Sequence, residues 1–314
     1  MKKQTSHMVK LIVAAALAVC APNAKAAEPY IPVISKGFQH QFWQAVKLGA
    51  EQEAQKLNVK ISFEGPETEA MVDKQIDMLA ADLAKHPQAI GFAALDSKAA
   101  IPLLKKAQAE NIPVIAFDSG VDSDIPLTTC ATDNIAAAGV AADKMAELIG
   151  DSGEVALVVH DQTSRTGIDR RDGFVNRMKE KHPNIKIVAI QYGGGDQLQS
   201  TEITKAILAA NPDLKGIFGA NEGSIIGVLH GVKESGKHPV VIGYDSGKEQ
   251  IEAIKSGAEA GAITQNPIGI GSCVVESAVK ALKGEKLPKT VDTGFYWYDK
   301  SNVADPKVAA VLYN

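Results

Sequence analysis

Short apolar runs alternate along this chain with stretches in which apolar positions recur at helical spacing. The runs "YIPVIS" (30–35), "VKISFE" (59–64), "AIGFAAL" (89–95) and "PVIAFD" (113–118) read as buried strands. So do "EVALVVH" (154–160), "IKIVAIQY" (185–192), "LKGIFGA" (214–220), "PVVIGYD" (239–245) and "AGAITQ" (260–265). Between them, "FWQAVKLGAEQEAQKL" (42–57) places Phe42, Ala45, Val46 and Gly49 near one helical face. The stretch "NIAAAGVAADKMAELIG" (134–150) reads as a helix opening on an Asn134 cap and closing on Gly150. Strands that are apolar throughout and strictly alternate with helices belong to parallel sheets covered on both faces, so the fold class is α/β.

An internal echo sets the number of sheets. "VIAFDSG" (114–120) and "VIGYDSG" (241–247) agree at five of seven positions, and each follows three earlier βα units. A repeat in both order and sequence predicts two similarly wound Rossmann-like lobes. A length of 314 residues suits two domains better than one core.

Lobes of this kind gather ligand contacts at the carboxyl ends of their strands. Those positions hold Ser35–Lys36, Asp118–Ser119, the loop from Thr163 to Arg171, Asn221–Glu222, Asp245–Ser246 and Gln265. Aspartate only accepts hydrogen bonds, arginine only donates, and the amides do both. Such a set suits a neutral ligand covered in hydroxyls, and an aromatic pair, Phe42–Trp43, is available for the C–H face of a sugar ring. Catalytic use of Asp118 and Asp245 as a glycosidase pair is the competing reading, with loop capping as the plain one. His40 taken alone reads as a surface or capping histidine, and His160 reads equally well as core or site. No P-loop, dinucleotide fingerprint, nucleophile elbow or Cys-x-x-Cys occurs, and "GGGD" (193–196) lacks the residues that would make it a phosphate loop. No cofactor and no metal are expected.

The first 26 residues stand apart. Lys2, Lys3 and Lys10 precede the apolar run "LIVAAALAVCA" (11–21), and "NAKA" (23–26) ends in small residues. This is the pattern of a secretory signal peptide cut after Ala26, and the run is too short to span a bilayer. Val19 makes Cys20 a poor lipidation site. Removing four lysines and no acids takes the net charge from −4 to −8, which argues against nucleic acid as a partner. Cys130 and Cys273 remain, and in an exported protein they either pair or serve as small buried side chains.

In order along the chain, "SKGFQHQFWQAVKLGAEQEA", "NIPVIAFDS", "TDNIAAAG", "SRTGIDRRDGF", "GIFGANE", "VIGYDS" and "AITQNPIGIG" resemble the sugar-binding proteins of bacterial ATP-binding-cassette importers, in the ribose-binding-protein branch. The resemblance implies two α/β lobes joined by three hinge strands, the type I periplasmic binding protein fold. It implies hinge crossings near Cys130–Asn134, Gln265–Pro267 and Asp292–Gly294, so that residues 27–131 plus 266–292 form one lobe and 132–265 plus 293–314 the other. It implies a ligand set of His40, Phe42, Trp43, Asp118, Ser119, Arg170, Asn221, Asp245 and Gln265. Of the three arginines in "SRTGIDRRDGF", Arg170 is then the one aimed inward, with Arg165 and Arg171 nearer the surface.

Three departures from the ribose binders point to a rebuilt pocket for another sugar or a polyol. Ser119 stands where they have arginine, Gly195 where they have an aromatic residue, and Lys36 lies in a first loop one residue longer. The expected protein is a periplasmic, monomeric, non-enzymatic receptor for a small polyhydroxylated ligand. Its expected partner is an ABC permease in the inner membrane, or alternatively a chemotaxis or signalling receptor. A sugar-responsive repressor would instead open on a helix-turn-helix, and a secreted carbohydrate enzyme would need a positioned acid and base.

Overall fold

The computed structural model describes residues 29–313. The expected signal peptide, its cleavage site and Cys20 lie outside those residues. Among the described residues no helix is long and apolar enough to cross a membrane.

The chain begins β1 (Tyr30–Ile34), α1 (Gln41–Leu57), β2 (Lys60–Glu64), α2 (Val72–Leu83), β3 (Ile90–Phe92), α3 (Ile101–Ala109), β4 (Val114–Phe117) and β5 (Thr128–Ala131). It continues as α4 (Asn134–Ile149), β6 (Gly153–Val159), α5 (Arg165–Lys181), β7 (Ile185–Tyr192), α6 (Gln197–Ala210), β8 (Leu214–Gly219), α7 (Glu222–Ser235), β9 (Val240–Tyr244), α8 (Lys248–Ser256) and β10 (Gly261–Gln265). Then come α9 (Pro267–Leu282), β11 (Thr290–Asp292), β12 (Phe295–Tyr298) and α10 (Pro306–Ala309).

These strands make two six-stranded sheets, ordered β11-β5-β4-β3-β1-β2 and β12-β10-β9-β8-β6-β7. Apart from the edge strands β11 and β12, the winding is the same in both, as the echo between residues 114–120 and 241–247 predicts. Every pairing is parallel except β10 with β12. All nine strands read from apolar runs are present, within a residue or two, although the run at 89–95 shortens to Ile90–Phe92. The three strands that the runs did not reveal, β5, β11 and β12, are short pieces at the points where the chain changes sheet.

The chain changes sheet between Ala131 and Asn134, between Gln265 and Pro267, and between Asp292 and Phe295. Its last residues differ from expectation. Residues 293–314 are expected in the second lobe, yet Tyr313 packs in the core of the first, its ring centroid 6.0 Å from that of Phe42. Its hydroxyl accepts a hydrogen bond from Ser246 N of the second lobe at 3.1 Å. The tail therefore crosses the lobes once more.

In the first lobe α1 and α9 pack together on the sheet, and the fit depends on glycine. A Cβ at Gly49 would come 2.1 Å from Ile268 O, and one at Gly271 would come 2.0 Å from Val46 O. Cys130 in β5 and Cys273 in α9 form a disulfide, which settles the alternative left open above. The cap of α4 also differs from the reading: Asp133, not Asn134, accepts from Ala136 N, at 3.0 Å. That leaves the Asn134 side chain free for another task. Gly150 closes the helix at φ 75°.

Candidate functional site

The carboxyl ends of the two parallel sheets face each other across a small cavity. The first lobe lines it with Lys36, His40, Phe42, Trp43, Glu69 and Asp118, and the second with His160, Thr166, Arg170, Asn221, Asp245 and Gln265. All of these residues are buried.

Local geometry fixes each side chain. Asp118 and Asp245, the matched residues of the sequence echo, both take left-handed backbone conformations, φ 54° and φ 81°. Aspartate tolerates that region better than most residues, and strained backbone of this kind is concentrated at binding sites. Each uses its backbone N–H to reach the neighbouring strand, Asp118 to Cys130 O at 2.9 Å and Asp245 to Ile263 O at 2.6 Å. The Asp245 carboxylate then accepts from Gln265 Nε2 at 2.7 Å and from Glu222 N at 2.9 Å. Gln265 in turn accepts from Thr132 Oγ1 at 2.9 Å, so it ties a cavity carboxylate to the first crossing between the lobes. Asn221 caps α7 through Ser224 N at 2.9 Å, which holds its amide at the cavity wall.

Arg170 enters from the first turns of α5. Its Nε donates to Asn134 Oδ1 at 2.8 Å and its Nη1 to Ala220 O at 2.9 Å, while Asp245 Oδ2 lies 3.9 Å away. The other two arginines of that segment are partly exposed. Arg165 pairs with Asp169 and reaches Asp122 of the opposite lobe at 3.5 Å, and Arg171 bonds Asp172 and Tyr192.

Phe42 and Trp43 both line the cavity, with their rings edge-to-face at 5.0 Å. Trp43 Nε1 donates to Glu69 Oε1 at 2.7 Å. Glu69 escaped the sequence reading because a lone glutamate in the polar loop "GPETEAM" looks solvated. Its one signal was its place after the carboxyl end of β2. Lys36 Nζ lies 3.9 Å from Glu69 Oε2 and donates to Thr166 Oγ1 at 3.1 Å. Thr166 lies within the candidate loop from Thr163 to Arg171 but outside the ligand set that the resemblance implies. Ser119 departs from the expectation. It is buried outside the lining, its N–H turned to Phe117 O at 2.6 Å and its carbonyl accepting from Ala94 N.

Burial raises the Asp118 carboxyl to about 6, against the pull of Lys36 and Arg170, with Glu69 and Asp245 adding to the rise. Among the described residues it has no protein hydrogen-bond donor, so its oxygens are offered to the cavity. Glu69 goes the other way, to about 2: burial opposes its charge, but Lys36, then His40 and His160, and the Trp43 hydrogen bond together outweigh burial. His160 is held down to about 3 by burial and by Lys36, and is therefore neutral at pH 7. So weak a base cannot activate the Thr166 hydroxyl it contacts at 3.1 Å. The wall thus presents carboxylates that accept, cations that donate, and amides that do both, beside an aromatic pair. Among the described residues no cluster suits a metal ion.

Comparison with known proteins agrees with this geometry. The family described as periplasmic binding protein domain matches residues 31–286. The ribose import binding protein of Haemophilus influenzae is 28% identical over 292 residues, covering 91% of this chain and 96% of that protein. An ABC transporter solute binding protein of Agrobacterium vitis, solved with bound D-fucose, superposes with a TM-score of 0.87 at 33% identity, covering 90% of this chain and 100% of that one. A carbohydrate transporter solute binding protein of Agrobacterium radiobacter, solved with D-arabinose, gives 0.88 at 33% identity, covering 91% and 99%.

Proposed function

The chain belongs to the periplasmic binding protein family, and from that membership we propose that it captures one sugar or sugar alcohol of monosaccharide size between its lobes. It delivers that ligand to an ATP-binding-cassette permease in the inner membrane. On this reading it is exported, cleaved after Ala26, and works as a periplasmic monomer. Its family binds solutes and does not transform them.

One observation carries the reading: six buried polar and aromatic side chains from each lobe converge on one small cavity. Only a closed arrangement of the lobes assembles both halves, so ligand contacts and closure stabilise each other. The unpartnered carboxylate of Asp118 and the donors of Lys36 and Arg170 match hydroxyl groups, while Phe42 and Trp43 offer an apolar face. The relatives that hold D-fucose and D-arabinose, and the one named for ribose import, support a monosaccharide.

Thermal unfolding of the mature chain against D-ribose, D-arabinose, D-fucose and their alcohols tests this. A ligand at a thousand times its Kd adds about 4 kcal/mol, which raises Tm by several degrees in a chain this size. A rise confined to one stereochemical series, and reduced in Asp118→Asn, is the expected result. No rise with any sugar or polyol would overturn the reading.

A further inference from the structure

Most helices here carry their own cap. In α4, α5, α6, α7, α9 and α10 the residue before the first turn accepts a hydrogen bond from a backbone N–H of that turn. Two helices without such a side chain, α1 after His40 and α8 after Gly247, begin at the cleft. The donors of their first turns are not left open. Glu222 of the second lobe receives the N–H of Gln41 on one carboxylate oxygen and that of Phe42 on the other, each at 3.0 Å. Gln41 of the first lobe receives, on its side-chain carbonyl, the N–H of Lys248, the first residue of α8, at 2.7 Å.

We propose that Glu222 and Gln41 form a reciprocal latch, each capping a helix of the opposite lobe, and that this latch holds the closed state without touching the ligand. The inference deepens the binding reading above and rests on it for the link to ligand affinity.

Three features fit a latch. The caps join residues far apart in sequence and on opposite lobes, so they exist only while the lobes are together. The latch is also wired to the cavity: the Glu222 N–H donates to Asp245 at 2.9 Å, and Phe42 lines the wall. Finally, Gly247 stands between the two side chains, where a Cβ would come 2.9 Å from Glu222 Oε1 and 3.0 Å from Gln41 Oε1. Glycine at this position keeps both caps at hydrogen-bonding distance. In the open state the same first-turn donors turn to water, so the latch adds its stabilisation to closure alone.

Two arms test the proposal. The first needs no ligand. Ser97 N donates to Thr163 O across the cleft at 3.0 Å, so oxidised Ser97→Cys/Thr163→Cys locks the lobes together. On oxidation, exchange of the Gln41, Phe42 and Lys248 amides slows by about tenfold or more. Glu222→Ala abolishes the slowing at Gln41 and Phe42, and Gln41→Ala abolishes it at Lys248. Amides that exchange alike in locked and unlocked protein, or that stay protected in the variants, overturn the latch.

The second arm uses D-ribose, D-arabinose and D-fucose. Glu222→Ala weakens every sugar that wild type binds by the same factor, about tenfold for two lost caps. The loss lies in the dissociation rate, and Glu222→Gln, which keeps one acceptor, recovers part of it. A loss that differs from sugar to sugar makes Glu222 a ligand contact and overturns the proposal. Wild type that binds none of the three counts against the sugar reading alone, and the exchange arm still decides the latch.

Discussion

Arg170 lies over the face of Tyr244, its Cζ 3.8 Å from the ring centroid, and Arg170 Nε and Tyr244 Oη both donate to Asn134 Oδ1 at 2.8 Å. Asn134 is the first residue of α4, immediately past the first crossing between the lobes. The guanidinium is thus fixed on three sides, by an aromatic face, an amide at the hinge and the Ala220 carbonyl, before any ligand is considered.

Charge alone should therefore not replace it. Arg170→Lys keeps the cation but loses the planar fork and the stack. It lowers affinity for the best sugar by about tenfold or more, measured by calorimetry. Tyr244→Phe, which keeps the ring and removes one donor to Asn134, has a smaller effect. Equal affinities for wild type and Arg170→Lys would show that the guanidinium geometry is not used.

Asp118 gives binding a pH dependence. Its carboxyl titrates at about 6 because burial disfavours the charge, and it acts on hydroxyl donors as the carboxylate. Affinity rises with pH through that value and falls by up to about tenfold per unit below it. In Asp118→Asn binding is weaker, and this acid-side fall is absent. Stability has the opposite sign, because the folded pKa lies above the ordinary aspartate value of 3.8. The cost of the buried charge is present above about 6 and is relieved as pH falls toward 3.8. Kd measured against pH for both proteins checks the point.

Glu69 is held at about 2, below its ordinary 4.5. It therefore contributes stability that is fully present above 4.5 and lost as pH falls through 2. The contribution is about 3 kcal/mol. Urea unfolding of wild type and Glu69→Gln should differ by about that much at neutral pH, and the two curves should converge in acid. A gap that does not change with pH would leave the Lys36 pairing without energetic weight.

The disulfide between Cys130 and Cys273 spans 143 residues and encloses the main body of the second lobe, from the first crossing to the second. It fastens β5 to α9, and neither cysteine lines the cavity. Reducing it, or making Cys130→Ser/Cys273→Ser, costs about 3–5 kcal/mol and lowers Tm by several degrees. Sugar affinity at room temperature is unchanged. An affinity loss in the serine pair would mean that the bond also sets the angle between the lobes.

The sequence was most informative where local chemistry and burial agree. Strands covered on both faces must be apolar throughout, so nine of them stand out as runs. The short crossing strands do not: β5 is buried between two neighbours but is only four residues, TTCA, and β11 and β12 are short, partly exposed edge strands. Asn134 looked like a cap because amide side chains favour that place; Asp133 takes the cap, and Asn134 goes to Arg170 and Tyr244. Ser119 shares a strand end with Asp118 but not its direction. The left-handed residue at 118 turns the backbone, the Ser119 N–H and carbonyl bond Phe117 and Ala94, and its hydroxyl lies outside the cavity lining.

The periodicity and the echo determined by themselves that there are two α/β lobes of one winding, and which strand ends carry polar groups. Both follow from local rules: alternation, burial on two faces, and a repeated strand-end turn. What only the tertiary structure decided is which groups meet. Glu69, a solvated glutamate by its neighbours, becomes a buried partner of Trp43 and Lys36 because β2 delivers its loop to the cleft. Glu222 caps a helix that lies 181 residues before it. Such pairings depend on how two lobes are set against each other. No local pattern encodes that distance, since each partner's own segment is satisfied by water until the lobes close.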